Sequence, residues 1–440
     1  MINYNKVLSC LALLLACGAA MAQNGVTSPY SRYGFGLLSD QSTTANKGMG
    51  GISYGLRSQS MINVGNPASY SGIDSLTYLF DAGITLQNTN YNNGSQKMNV
   101  KNSSLDYLAM QFRAFKNVGM TLGFVPYSKI NYDFSSSSTV RDDEDGTAVS
   151  TVSNTGSGGL SQAFIGVGAQ VIPNLSVGAN LSYLWGDVDH TIANSYSGAT
   201  AWAYTRNYTS EIKTYKLDLG AQYTLDLSKK EKLTLGVTYS LGHDVDADAY
   251  RVQYTSDTST GSTTIIDQRI DTIGNAYQLP ATIGVGATYV YDKRLTVGFD
   301  YTYQKWAGVK YPYFQGSGES TADEMDGWQF RDVHKFAVGM EYLPNPIARS
   351  IFKRMRYRVG GYYTNPYVKV KGVSSSEYAV GAAVVVPIFN SHSSKTSFLS
   401  VGAEYVNVSP SKGSLIKENY LKLSVGLTFG QIWFYKWKVQ

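Results

Sequence analysis

Past its N-terminus this chain repeats one pattern: apolar residues alternate with small or polar ones at a period of two. Near the C-terminus Leu421, Leu423, Val425, Leu427 and Phe429 interleave with Lys422, Ser424, Gly426 and Thr428. The same alternation runs through 175–183 and 233–241. It returns near 76–88, 105–115, 118–134, 160–172, 213–227, 280–291, 294–304, 334–343, 356–364, 378–388 and 397–406. Side chains of a strand point to its two faces in turn, so each run predicts a strand with one apolar face. The count is about fourteen strands.

Composition agrees with an all-β chain. There are 44 Gly and 35 Tyr, and only 16% of residues are charged. No apolar run beyond the N-terminus reaches the ~18 residues of a spanning helix. A hydrophobic content of 43% argues against disorder. The net charge of +5 is mixed along the chain, with no basic stripe to bind nucleic acid.

Residues 1–22 read as a secretory signal peptide. Lys6 supplies the positive end, Val7 to Ala20 are mostly apolar, and Ala20-Met21-Ala22 is a small-x-small cleavage site before Gln23. A second reading takes Leu14-Leu15-Ala16-Cys17 as a lipoprotein box, with Cys17 as the lipidated first residue; the Ala-x-Ala junction is the better site. Both cysteines, Cys10 and Cys17, lie in this segment, so cleavage after Ala22 leaves no thiol for disulfides or metal.

Connections come in two lengths. Short turns are expected at Lys116-Asn117, Pro173-Asn174 and Asp292-Lys293, and long polar loops near 135–158, 187–210, 245–272 and 307–327. Short turns on one side and long loops on the other are the pattern of an outer-membrane barrel, localised to the outer membrane of a Gram-negative cell. A soluble sandwich would instead pack about seven to nine shorter strands into ~100 residues. A sheet that spans lipid must close, because an open edge leaves backbone groups unpaired. Tyr183, Trp185, Tyr301, Tyr303 and Trp306, at strand ends, then suit an aromatic girdle. Charged side chains facing lipid would cost ~2–4 kcal/mol at mid-depth. By parity with their neighbours, Lys216, Asp218, Asp300, Glu341, Arg356, Arg358, Glu404 and Lys422 therefore face the lumen. Their signs are mixed, which suits a paired polar interior better than a charge filter.

Residues 23–74 do not alternate. They contain Pro29-Tyr30-Ser31-Arg32-Tyr33-Gly34, Gly48-Met49-Gly50-Gly51 and Gly65-Asn66-Pro67-Ala68, a density of turn formers that predicts irregular backbone. The expected organisation is a signal at 1–22, a luminal hatch at 23–74 and a membrane-spanning antiparallel barrel at 75–440. The glycine-rich lead, Asn66-Pro67-Ala68 before the first strand and about fourteen strands resemble the FadL/TodX family of outer-membrane transporters. Phe124-Val125-Pro126-Tyr127 looks like that family's Pro-bearing strand, and Leu279-Pro280-Ala281 enters a Gly-alternating one. The resemblance covers the mature chain and implies passage of long-chain fatty acids or other hydrophobic small molecules, with Pro126 marking a sideways opening in the wall. No ligand-contacting motif carries over. The Pro-Tyr-Ser-Arg-Tyr-Gly lead and the tail Trp433-Phe434-Tyr435-Lys436-Trp437-Lys438 suit a divergent branch. The alternative is thus a non-transporting barrel, a subunit or shuttle of an outer-membrane secretion or assembly complex. Partners under these readings are outer-membrane lipid, a hydrophobic ligand or a protein complex.

No enzyme is expected. Gly51-Ile52-Ser53-Tyr54-Gly55 fits G-x-S-x-G, but a nucleophile needs a strand-to-helix turn behind it, and this segment is a plug turn. His190, His243, His334 and His392 lack ligand spacing, and the first two fall at loop bases on the surface. Asp142-Asp143-Glu144-Asp145-Gly146 lacks the spaced ligands of a Ca²⁺ loop and reads as a solvated tip. Neither a cofactor nor a metal is expected. Ile347, Ile351 and Phe352 amid Arg349, Lys353 and Arg354 form a short amphipathic turn at the membrane surface.

Overall fold

The computed structural model describes residues 28–142, 146–197, 202–257, 264–312, 327–388, 397–412 and 415–432. The signal segment with Lys6, Cys10 and Cys17, the Trp433–Lys438 tail, His392 and the Asp143–Asp145 tip lie outside the described residues.

The first strand, β1 (Leu37–Leu38), belongs to the N-terminal segment. The wall starts with β2 (Thr77–Asn92) and β3 (Lys97–Phe115), then β4 (Val118–Pro126) and β5 (Ser128–Asp142), one stave broken at Tyr127. Next come β6 (Gly146–Ile172), β7 (Leu175–Tyr196), β8 (Ala203–Asp226) and β9 (Glu231–Ser240). Beyond β9 the chain forms β10 (His243–Val245), β11 (Ala249–Asp257), β12 (Thr264–Ile273) and β13 (Tyr277–Leu279). It then re-enters the wall as β14 (Ala281–Tyr291) and β15 (Leu295–Lys305). Two short strands, β16 (Trp328–Phe330) and β19 (Val368–Val370), pair outside β17 (Val333–Tyr342) and β18 (Arg356–Thr364). The wall ends with β20 (Ser375–Ile388), β21 (Ser397–Pro410) and β22 (Lys417–Ile432). Pairing of β22 with β2, from Thr77↔Ile432 to Asn92↔Lys417, closes fourteen antiparallel staves.

Closure explains the alternation. Leu235, Val237, Ile283, Val285, Phe299, Val338, Val380, Val401 and Leu423 are exposed, while their neighbours Thr234, Thr288, Asp300, Glu341 and Ser424 are buried. An exposed apolar belt around a polar interior is the inverse of a soluble protein and marks the lipid-facing band. The tight turns follow their residues: Asn117, Asn174, Asp292 and Lys293 sit at φ of 68°, 70°, 50° and 55°. Such positive φ values give hairpin turns the twist that matches the strands.

The opposite end departs from expectation. Within the Ser/Thr-rich stretches, residues 135–142, 146–158, 187–196, 203–210, 249–257 and 264–272 are strand rather than irregular loop. β5 pairs β6 out to Asp142↔Gly146, β6 pairs β7 to Ser150↔Tyr196, and β11 pairs both β8 and β12. Polar side chains are no obstacle to a ladder once it stands clear of lipid, and alternating Thr and Ser fit a pleat that water solvates on one face.

Candidate functional site: the luminal hatch and the broken stave

Residues 28–74 thread the lumen from the long-loop end to the start of β2. Asn66 folds the exit. Its backbone is extended, at φ −141° and ψ 110°, as the following Pro requires, and its Oδ1 accepts from Ala68 N at 3.0 Å. Pro67 opens a short 3₁₀ turn, Pro67–Gly72, where its missing N–H costs nothing. Asn66 Nδ2 donates to Tyr54 O at 2.8 Å and to Ala221 O of β8 at 3.3 Å, tying two parts of the hatch to the wall. Asn66, Pro67 and Ala68 are all buried.

The wall meets the hatch with polar groups at several depths. Asp300 Oδ2 accepts from the backbone N–H of Ser53 at 2.6 Å and of Tyr54 at 3.0 Å. Gln222 Nε2 donates to Tyr54 O and Leu56 O at 2.9 and 3.1 Å, and Gln111 Nε2 to Tyr70 O at 3.0 Å. Lys47 pairs with Asp106 at 2.9 Å. Asp40 of the hatch is partly buried, which would raise its pKa, but the field of Lys335 and Lys47 outweighs desolvation and holds its carboxyl below the usual range. Ser53, the centre of the G-x-S-x-G match, is thus part of a hatch turn held by a wall carboxylate. Replacing that carboxylate, Asp300→Ala, leaves two buried N–H groups without acceptors at about 1–3 kcal/mol each. Hydrogen exchange at Ser53 and Tyr54 should then accelerate at least roughly tenfold with the barrel intact; unchanged exchange there would contradict this role for Asp300.

The other seven charges expected in the lumen pair among themselves. Glu341 accepts from Arg356 Nη1 at 2.9 Å and Arg358 Nε at 2.6 Å, and Arg358 reaches Asn46 of the hatch at 3.4 Å. Lys422 pairs with Glu404 at 3.4 Å, and Lys216 with Asp218, which also accepts from Ser240. No ring of one sign forms among the described residues.

Glycines make room for all this, a feature that the sequence reading leaves out. Gly168, Gly178 and Gly220 lie opposite one another across β6, β7 and β8, and Gly298, Gly339, Gly360 and Gly381 across β15, β17, β18 and β20. Pro67 lies against the first row and Met49 against the second. A Cβ on Gly178 would sit 2.4 Å from Pro67 C, and one on Gly339 2.2 Å from Met49 O. The available signal was Gly at the inward position of successive strands.

At the long-loop end the lumen is packed. Phe35 is fully buried against Trp306, Tyr277 and Tyr311, with ring centroids 5.7–5.8 Å apart, and Trp306 lies 4.5 Å from Tyr367. Tyr311 Oη donates to Gly34 O at 2.9 Å, and Tyr367 Oη to Tyr33 O at 3.1 Å. Trp306 is therefore no girdle residue: β15 ends at Lys305, the chain turns inward, and Trp306 is 1% exposed. Tyr183, by contrast, is exposed beside Trp185. His190 also departs from its expected surface position, being buried with Nδ1 2.8 Å from Tyr132 Oη.

Pro126 ends β4, paired with Ser161 of β6. On the other side, β3 pairs with β4 only as far as Leu108↔Phe124, so residues 97–107 have no partner across from β5. β5 meets the hatch instead, through Leu37↔Lys129 and Leu38↔Ser128. A cavity of about 1630 Å³ lies behind this break and reaches the outer surface at Leu105 and Leu108. Its wall mixes such apolar residues with Lys47, Asp106, Lys129 and Lys335.

The BamG family profile matches residues 1–440. This chain belongs to the BamG family. No curated protein matches it. Among solved structures, the BamG chain is similar to the CymD monoaromatic hydrocarbon channel (14% identity, TM-score 0.55), covering 90% of this chain and 98% of that one. It is also similar to the Ralstonia pickettii toluene transporter TbuX, at 13% identity and TM-score 0.56, with 90% and 99% covered. A Pseudomonas aeruginosa FadL homologue gives 11% identity and TM-score 0.57, with 89% and 99% covered. These likenesses establish the FadL-type barrel fold, as the hatch and the broken stave led one to expect.

Proposed function

We propose that this BamG-family protein is a non-enzymatic, non-transporting barrel subunit of an outer-membrane assembly complex in a Gram-negative cell. One observation carries the reading: the end of the lumen through which an outside ligand would enter is filled by Phe35, Trp306, Tyr277 and Tyr311. Each such ring buries ~150–250 Å², and at ~25 cal/mol per Å² unpacking two of them costs on the order of 10 kcal/mol. That is too large for a gate that a weak hydrophobic ligand must open, since a ligand shifts an equilibrium only by its differential affinity. A luminal wall of paired charges supports the same reading.

A second reading, passage of hydrophobic small molecules, is favoured by the cavity that opens sideways beside Pro126 and by the fold shared with a monoaromatic hydrocarbon channel and a toluene transporter. In that reading a ligand occupies the pocket beside the hatch and leaves through the break. Extraction at native abundance in mild detergent, followed by mass measurement of the intact species and of bound lipid, separates the two. A stoichiometric protein complex with an empty lumen is expected; a lone barrel carrying an amphiphile would overturn the first reading.

A further inference from the structure

The outer ends of β6, β7, β8 and β11 form a sheet that stands clear of the membrane and stops at β12. β11 pairs with β8 from Tyr250↔Thr209 to Ser256↔Ala203, and with β12 on its other side. No strand pairs with the far edge of β12 among the described residues, β11 being its one ladder partner. Thr209 is six residues beyond Tyr215 on β8, and Tyr215 is exposed opposite Tyr183 at the outer aromatic level. Six residues of strand span ~20 Å, so lipid does not reach this edge.

An edge of this kind is a hazard that proteins blunt with Pro, Lys or cover. β12 reads Thr-Ile-Ile-Asp-Gln-Arg-Ile-Asp-Thr-Ile, without Pro or Lys. Ile265, Ile266 and Ile270 are 54%, 45% and 61% exposed, and Ile270 stands beside Val252 on the same face as exposed Tyr250. The other face is already committed: buried Arg251 donates to Asp271 at 2.7 Å, and Arg269 to Asp271 at 2.9 Å. Asp267, on that same face, pairs with no cation among the described residues.

We propose that β12 is a docking edge for an extended strand of a partner protein, and this rests on the reading of the protein as a complex subunit. Only a strand matches the row of alternating N–H and C=O groups along Asp267–Ile273, the regular part of β12 beyond its bulge at Ile266; a lipid or a helix satisfies none of them in register. The occupant that fits is an extended segment with β-branched or aromatic residues against Ile266 and Ile270 and a Lys or Arg opposite Asp267. A second copy does not fit. Two barrels sharing one membrane orientation would bring upright β12 strands together in parallel, which sets Asp267 against Asp267 and Arg269 against Arg269.

Hydrogen exchange of residues 264–273 in intact outer-membrane vesicles, compared with the purified lone barrel, tests this. The alternate amides of β12 that point away from β11 should exchange at least tenfold more slowly in vesicles. The double substitution Ile266→Ser, Ile270→Ser, at exposed positions, should abolish that difference while leaving the β11-bonded amides protected in both samples. A photo-crosslinker at Gln268 should join one protein through an extended segment. Free-strand exchange in vesicles overturns the proposal, as does a crosslink only to lipid or to another copy of this chain. If a complex is found by mass but β12 exchanges freely, this inference fails and the subunit reading stands.

Discussion

Deleting residues 28–64 should convert a sealed barrel into an ion-conducting pore. The hatch supplies no stave, and its side-chain and backbone bonds to the wall are not part of the ladders between staves, so the fourteen staves keep their inter-strand hydrogen bonds and still insert. What disappears is most of the filling: Met49 and Ile52 against the wall glycines of β15, β17 and β18, and Phe35 from the aromatic cap. Barrels of about 16–18 strands leave a water-filled channel and 8-stranded ones do not. At fourteen the lumen is wide, and the exposed inner face becomes a lining of charge pairs such as Glu341 with Arg358 and Lys422 with Glu404. In planar bilayers the deletion should conduct steadily where the full chain is silent. Equal conductance of the two would show that the hatch is not the seal. Heat-modifiable migration on a gel serves as the check that the barrel has folded.

The fold was legible because membrane closure imposes a strict period of two, and the exposed belt and buried polar face follow it residue by residue. Strand parity alone assigns Lys216, Asp218, Asp300, Glu341, Arg356, Arg358, Glu404 and Lys422 to the inner face. Four things were not legible, each for a physical reason. The outer strands are hidden because Ser and Thr at both parities erase the apolar signal while leaving the backbone free to pair. Trp306 reads as a girdle residue because its inward turn is decided by the space around Phe35, some 270 positions earlier in the chain. His190 reads as a loop-base residue for the same cause: its buried partner Tyr132 comes from another stave. The free edge of β12 is likewise a property of neighbours, since the strand itself looks like any other.

The luminal glycines give the largest effect from the smallest change. Gly339 and Gly360 are opposite each other on β17 and β18, and a Cβ on either would lie 2.2–2.3 Å from the backbone of Met49. Side-chain rotation cannot relieve a clash with backbone, so the hatch must move or the wall must bend. Overpacking of this kind costs about 1–3 kcal/mol per site, and the two sites share one obstacle, so their costs will not simply add. At ~1.4 kcal/mol per factor of ten, the double variant Gly339→Val, Gly360→Val should shift hatch docking by roughly tenfold or more. It should do so without unfolding the barrel, because Val suits a strand and both positions lie within regular ladders. Gly381→Val supplies the control: it belongs to the same row, yet its Cβ meets only the wall, at 3.2 Å from Ala403 O. Protease access to residues 40–60 and bilayer conductance should both rise in the double variant and stay at the unsubstituted level in Gly381→Val. A double variant as protected and silent as the unsubstituted protein would mean that the hatch is not seated on the glycine rows.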